Sequence, residues 1–313
     1  MAFRNPGDQF LADYLRHGMT PFFGLPLADS SKPDAFAGCK VVFLGVPHDA
    51  SVSQNPGARF GPYAVRKASI FAVDATALQK LGGKAVDGGN VPAPFGSPEG
   101  MRAAVEQGVR QVLDSGAVPF LVGGDHSIAL PSLRAVAKKH GPLAVIHVDA
   151  HPDLSPQSEL LSADAYHHGA PLRHALEEGL IAPGQLHQLG IRIPHDEGYA
   201  LTHGVKVHGI DELADRGVAA VMAEVRAAIG GRPVYLTFDI DAVDPAFAPG
   251  TGTPVAGGLS SREALRIVRS LAGLKLVGLD LVEVLPALDH ADLTSLLAAQ
   301  LLSEALAGLA PSV

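Results

Sequence analysis

The sequence predicts a three-layer α/β/α fold in a single domain, with a central, mostly parallel sheet covered by helices on both faces. Three observations carry that expectation. Short apolar runs such as Val41–Val46, Val118–Val122 and Leu143–Val148 are nearly continuous rather than alternating, as strands buried on both faces require. These runs alternate with helical segments, the pattern of a doubly wound sheet. Three runs also end in clusters of His and Asp: GGDHS at 123–127, DAHPD at 149–153 and DIDAVDP at 239–245. Open α/β sheets bind ligands at that carboxyl edge of their strands.

Residues 1–38 are rich in Pro, Gly and mixed polar residues and read as an N-terminal arm wrapping the domain or a neighbouring subunit. Val41–Val46 is the first buried strand, followed by a loop from Pro47 to Pro62 in which Gly57 and Gly61 permit tight bends. Tyr63 to Gln79 has helical spacing, and a short strand is expected at Lys84 to Val86. A helix from Pro98 to Ser115 is capped by Ser97 and begins with proline in its first turn. The strand at Val118–Val122 and a helix from Leu130 to His140 follow, then the strand at Leu143–Val148. Helical segments are expected near 170–179, 211–229 and 261–272, and strands at Leu186–Arg192, from 233 and at Leu276–Val282. A last apolar helix, Asp292 to Leu309, covers one face of the sheet.

Composition bounds the function. Hydrophobic residues make up 47% of the 313-residue chain and the formal net charge is −8, so the protein is globular and offers no basic stripe for nucleic-acid phosphates. Cys39 is the only cysteine, which rules out an intrachain disulfide and does not imply an oxidising compartment. The opening MAFRNPGDQFLADY lacks the basic and apolar regions of a signal peptide, and the longest apolar stretches are cut by Asp280, Glu283, Gln300 and Glu304. A soluble cytoplasmic protein without membrane or nucleic-acid partners is expected.

The chemistry lies in the three clusters. Asp149, His151 and Asp153 stand at alternate positions, which in extended backbone sends all three side chains to one side. Carboxylates and an imidazole so placed call for a cation among them. D-x-H-x-D alone is a weak signal, because a single Asp or His after a strand is commonly a turn residue. Three strand ends spilling His and Asp are not explained by turns.

Together with PGARFGP (56–62), His168-Gly169 and GLDLVEV (278–284), the three clusters resemble the ureohydrolase family of arginases, agmatinases, guanidinobutyrases and proclavaminate amidinohydrolase. The resemblance runs from about residue 40 to the C-terminus, and the PGARFGP and GTGTP loops are closest to the agmatinase branch. It implies the arginase-like version of the fold, with 39–313 as the catalytic domain, a homotrimer or homohexamer, and two Mn²⁺ per subunit. By motif position, His126, Asp149, Asp153 and Asp239 would hold one ion and Asp149, His151, Asp239 and Asp241 the other, with Asp149 and Asp239 bridging. Oxygen and imidazole donors without thiolate suit Mn²⁺ and do not exclude Ni²⁺, Co²⁺ or Zn²⁺. Two such ions roughly 3.5–4 Å apart can supply hydroxide near neutral pH.

The resemblance also implies roles. Glu283 grips the guanidinium, Asp153 hydrogen-bonds the hydroxide and passes its proton to the departing amine, and His168, preceded by His167, shuttles protons to solvent. Asp125 and Ser127 support the site, Asp244 is a supporting or turn residue, and Thr253 contacts substrate or shapes the GTGTP loop. The implied activity is hydrolysis of a linear, agmatine-like guanidino compound to urea and an amine. The alternatives are a guanidino-acid hydrolase of the guanidinobutyrase, guanidinopropionase or proclavaminate amidinohydrolase type, then a formiminoglutamase, or a non-catalytic family subunit, whose mark would be eroded ligands.

Departures from the family pattern concern the substrate tail. Ala50 to Gly57 reads ASVSQNPG where agmatinase-like proteins commonly carry GGTSYRPG, and Ala170 and Leu172 replace the Thr and Phe of HGTPF. Both segments are expected to line the mouth, with Asn55, Arg59, Glu159, Asp164, His167 and Arg192 as candidates to meet the tail.

Overall fold

A computed structural model describes residues 20–32, 34–92, 97–156, 166–194 and 196–309. Eight strands, β1 (Val41–Val46), β2 (Ala85–Asn90), β3 (Val118–Gly123), β4 (Leu143–Val148), β5 (Ile181–Ile191), β6 (Lys206–Gly209), β7 (Pro233–Asp239) and β8 (Lys275–Val282), form one sheet. Their order is β2-β1-β3-β8-β7-β4-β5-β6, and every pairing is parallel.

Alternate residues of the strands feed two apolar layers. Phe43, Phe120, Ile146, Leu236 and Leu279 face one way and Val42, Leu121, Val145, Tyr235 and Val277 the other. The first layer is covered by helices α1 (Gly61–Ser69), α8 (Val218–Ile229), α9 (Ser261–Arg269) and α10 (Leu293–Leu309), and the second by α3 (Pro98–Asp114), α4 (Ala129–His140) and α5 (Pro171–Glu177). Burial on both faces is why the strands read as unbroken apolar runs. Among the described residues no helix is long and apolar enough to cross a membrane.

Helix starts follow the sequence closely. The Ser97 side chain accepts from Gly100 N, and Ser260 and Glu263 close a capping box on α9. Two long helical expectations divide. Residues 63–79 become α1 and α2 (Ala75–Lys80), the latter capped by Asp74, and 211–229 becomes α7 (Ile210–Arg216) and α8, parted by Gly217 at φ 78°. β2 runs on to Asn90 and β5 begins at Ile181, while α6 (Glu197–Thr202) and edge strand β6 had no sequence expectation. β6 reads KVHG, too short and too polar to register as a run.

Within the expected arm, Phe22 and Phe23 pack on Phe43 with ring centroids 5.4 Å apart, and Phe22 N donates to Asp87 Oδ2 at 2.8 Å. This part of the segment lies on its own domain; residues 1–19 and 33 fall outside the described residues.

The register of the four middle strands positions the site. Val122, Leu281, Phe238 and Val148 are level across β3, β8, β7 and β4. The chain therefore leaves the sheet at one height on all four, immediately before the His and Asp clusters.

Candidate metal centre and active site

Six residues from three strand ends meet over the middle of the sheet. His126 stands in a 3₁₀ turn after β3, started by Asp125, whose carboxylate accepts from Ser127 N and, through its other oxygen, from Ser51 N at 2.9 Å. Asp149 follows β4 directly, with His151 and Asp153 on the same exit, and Asp239 ends β7 and accepts from Asp241 N. His126 Nδ1 lies 2.8 Å from Asp153 Oδ2, 3.2 Å from Asp149 Oδ2 and 3.3 Å from Asp239 Oδ2. His151 Nδ1 lies 3.0 Å from Asp241 Oδ2 and 3.4 Å from Asp149 Oδ1. Asp149 thus faces His126 with one oxygen and His151 with the other. Gly124 lets the loop after β1 pass against the exit of β3, since a Cβ there would stand 1.6 Å from His48 O.

The electrostatics of this cluster are those of a cation site. Burial, then Asp241 and Asp149, push Asp239 well above the usual carboxylate range, and burial and Asp149 raise Asp241 to about 6. Burial opposes the charge on Asp149 too, but His147, His126 and His151 outweigh it and hold that carboxyl well below 3.8. Burial also works against charged imidazoles, yet the surrounding carboxylates lift His151 to about 12 and His126 well above 6.5. The histidines take up protons to balance carboxylates that cannot all be charged together. His126 Nδ1 and Asp153 Oδ2 are buried without a hydrogen bond, which leaves donor atoms pointing at one another. Four oxygen-bearing and two imidazole side chains in this state fit a pair of divalent ions.

His147, the polar residue within the Leu143–Val148 run, was not among the expected site residues. Its Nε2 lies 2.7 Å from Asp149 Oδ2, and it groups with His126, Asp149 and Asp153 as potential ligands. Gln188 Nε2 sits 3.1 Å from His147 Nδ1 and donates to Pro152 O at 2.6 Å. An amide donor facing Nδ1 leaves the proton on Nε2, so His147 donates to Asp149 and holds it in place.

Glu283 follows β8 at φ 64°, and Asp153 has φ 52°, left-handed backbone that non-glycine residues seldom adopt. Glu283 Oε1 accepts from His126 N at 2.8 Å and lies 2.9 Å from His168 Nδ1. Burial lowers His168, but the Glu283 contact wins and brings it to about 9, an effect opposed by Ser53 N donating to Nε2 at 3.0 Å. His167 differs: burial and the charge of His168 lower it, and its Nε2 is buried without a partner.

The cluster opens into a cavity of about 570 Å³ whose walls include His126, His151, Asp153, His168, Asp239 and Thr253. Thr253 Oγ1 donates to Asp241 Oδ2 at 3.1 Å, and Asp244 is a turn residue accepting from Ala246, Gly257 and Gly258. The expected mouth needs correction. Arg59 is paired with Asp49, and Arg192 donates to the carbonyls of Gly190, Asp241, Ala242 and Val255. Asn55 is bonded to Gly252 O. Ala170 and Leu172 are fully buried, and Leu172 packs in the apolar core beneath. The outer wall does include Ser53 and Gln54 of the expected 50–57 segment and the candidate His167, joined by Ser155, Ile193, Pro194 and Asp196. Glu159 and Asp164 lie outside the described residues.

A parallel α/β sheet with a buried His/Asp cluster at its carboxyl edge defines a class of metal-dependent hydrolase. The chain belongs to the arginase family, whose pattern it matches over residues 39–308. It is 42% identical over 281 residues to proclavaminate amidinohydrolase of Streptomyces clavuligerus, covering 86% of this chain and 88% of that one. It is 38% identical to the mitochondrial agmatinase of Gallus gallus, covering 96% and 88%. The crystal structure of the Streptomyces enzyme superposes with a TM-score of 0.86 at 40% identity, over 93% of this chain and 97% of that chain.

Proposed function

We propose that this protein hydrolyses the guanidino group of a linear, agmatine-like compound to urea and an amine. The observation that carries the reading is the convergence of His126, Asp149, His151, Asp153, Asp239 and Asp241 on one cavity that also contains His168, with Glu283 bonded to it. The first set would hold His126, Asp149, Asp153 and Asp239 around one ion and the second Asp149, His151, Asp239 and Asp241 around another, with Mn²⁺ as the proposed metal. Two ions held so would supply Lewis acidity and a nucleophile from water near neutral pH.

The chain's own residues do the rest. Both hydrogen bonds to Glu283 fall on Oε1, which leaves Oε2 to meet a guanidinium and hold it in plane. Asp153, which lines the cavity and has Oδ2 without a hydrogen bond, would carry a proton toward the leaving amine. His168 bridges Glu283 and Ser53 Oγ, at 2.9 and 2.8 Å, and so connects the interior to the cavity wall as a proton shuttle would.

The sign of the tail is supported by the wall. Among the described residues lining the cavity there is no Lys or Arg, and Asp196 supplies a carboxylate. The two arginines that could have met a carboxylate tail are engaged elsewhere. This favours an ammonium over an acid, while the likeness to proclavaminate amidinohydrolase keeps a guanidino acid as the second reading. Comparison of kcat/KM for agmatine and 4-guanidinobutyrate tests it: agmatine should be preferred, and a clear preference for the acid overturns the agmatine-like assignment. Release of formamide from a formimino substrate would mark the formiminoglutamase alternative. A homotrimer or homohexamer, proposed from family membership, is tested by sedimentation, and a stable active monomer would refute it. Cytoplasmic residence is proposed from the single cysteine.

A further inference from the structure

One turn of backbone below the site, the sheet carries a polar row. Asp280, Thr237, His147 and Gln188 are level across β8, β7, β4 and β5, and all are fully buried or nearly so. Asp280, Thr237 and His147 each interrupt an apolar strand, and burying four polar groups side by side is costly unless they serve one another. Thr237 Oγ1 donates to Asp280 Oδ1 at 2.5 Å and Tyr235 OH donates to Asp280 Oδ2 at 2.6 Å, with Ser132 Oγ 2.7 Å from that hydroxyl. With its only proton given to Asp280, the Thr237 oxygen can only accept from His126 Nε2, 2.7 Å away.

We propose that Asp280, acting through Thr237, is a positioning residue that holds a proton of His126 on Nε2 and so leaves Nδ1, on the side of the carboxylates, as the nitrogen that gives up its proton to a metal ion. The direction of each bond fixes the next: the buried carboxylate accepts, the hydroxyl turns toward it, and the imidazole has one acceptor available for one N–H. The far half of the row does the same for the opposite ligand, since Gln188 orients His147 and His147 donates to Asp149. The inference rests on His126 and Asp149 being metal ligands.

The test uses full-length Thr237→Val, which keeps the shape and removes the hydroxyl, Thr237→Ser, which restores it, and Asp280→Asn. Equilibrium dialysis with Mn²⁺ should find affinity about 10–100-fold weaker in Thr237→Val and Asp280→Asn and within a fewfold of the parent in Thr237→Ser. In the parent loaded with diamagnetic Zn²⁺, nitrogen-15 NMR of His126 should show a protonated Nε2 with a strongly hydrogen-bonded proton. A role in packing alone would lower Tm in Thr237→Val and leave Mn²⁺ affinity within twofold, which overturns the proposal. An unprotonated His126 Nε2 in the Zn²⁺-loaded parent overturns it as well, even if the variants fail to fold. A parent protein that binds no Mn²⁺ would instead break the metal assignment beneath it.

Discussion

Removing the metal should destabilise this protein more at pH 7 than at pH 5. Burial and then the charge of Asp149 lift Asp241 from 3.8 to about 6, so between those values the folded, metal-free chain binds a proton that the unfolded chain has released. Its stability therefore falls as pH rises through that window. His151 acts in the same direction at higher pH. Despite burial, Asp149 and Asp241 lift it from 6.5 to about 12, so its contribution is complete below 6.5 and drains away above. Bound cations reverse the balance, because they favour charged carboxylates and neutral imidazoles. The Asp241 displacement corresponds to roughly 3 kcal/mol over its whole window, of which a little under half falls between pH 5 and pH 7. For a chain of this size that is about 2 °C in Tm. Calorimetry with Mn²⁺ and with excess chelator at pH 5, 6 and 7 measures the gap between the two melting temperatures. It should widen at each step; a gap that is constant or narrows toward pH 7 refutes the electrostatic account.

Asp149→Ala or Asp239→Ala should abolish urea release, since each removes a ligand proposed to be shared by both ions, and near-normal turnover with metal content measured in the same sample would sink the bridging assignment. Glu283→Gln preserves the size of the side chain and removes its charge; kcat/KM for agmatine should fall about 10²-fold or more, with the fold intact by circular dichroism. Gly124→Ala places a Cβ 1.6 Å from the His48 carbonyl oxygen, where only backbone movement can relieve it. It should cost more than about 4 kcal/mol in urea denaturation, and a wild-type midpoint would contradict the packing of the two loops.

The layers and the metal cluster were legible because their signals are local. A strand buried on both faces announces itself in six consecutive residues, and Asp149, His151 and Asp153 share an exit from one strand. The polar row was not legible, because Asp280, Thr237, His147 and Gln188 belong to four different strands and become neighbours only through register. A polar residue inside the apolar runs of β8, β7 and β4 was the signal that could have found Asp280, Thr237 and His147, while Gln188 stands beside His187 in a more polar strand. The arginines expected at the mouth were misjudged for a different reason. A charged residue near a motif looks available in sequence, whereas Arg59 and Arg192 have partners that only folding supplies. Gly217 was likewise visible, but its left-handed backbone, which ends one helix and starts another, is a property of the folded chain.

The order of the strands separates catalysis from choice of substrate. The ligands and Glu283 issue from β3, β8, β7 and β4, four neighbours in the middle of the sheet, whereas Ser53 and Gln54 follow β1 and Ile193, Pro194 and Asp196 follow β5, one strand further out on either side. Exchanges at Gln54, Ile193 and Pro194 can reshape the entrance with little strain passed to the interlocked centre, whereas Ser51 and Ser53 tie the loop after β1 to Asp125 and His168. The sheet thus behaves as a chuck with interchangeable jaws. Exchanging Gln54, Ile193 and Pro194 is the natural route to new tail specificity in this protein, and random mutation of the middle four exits is the route to losing the reaction altogether.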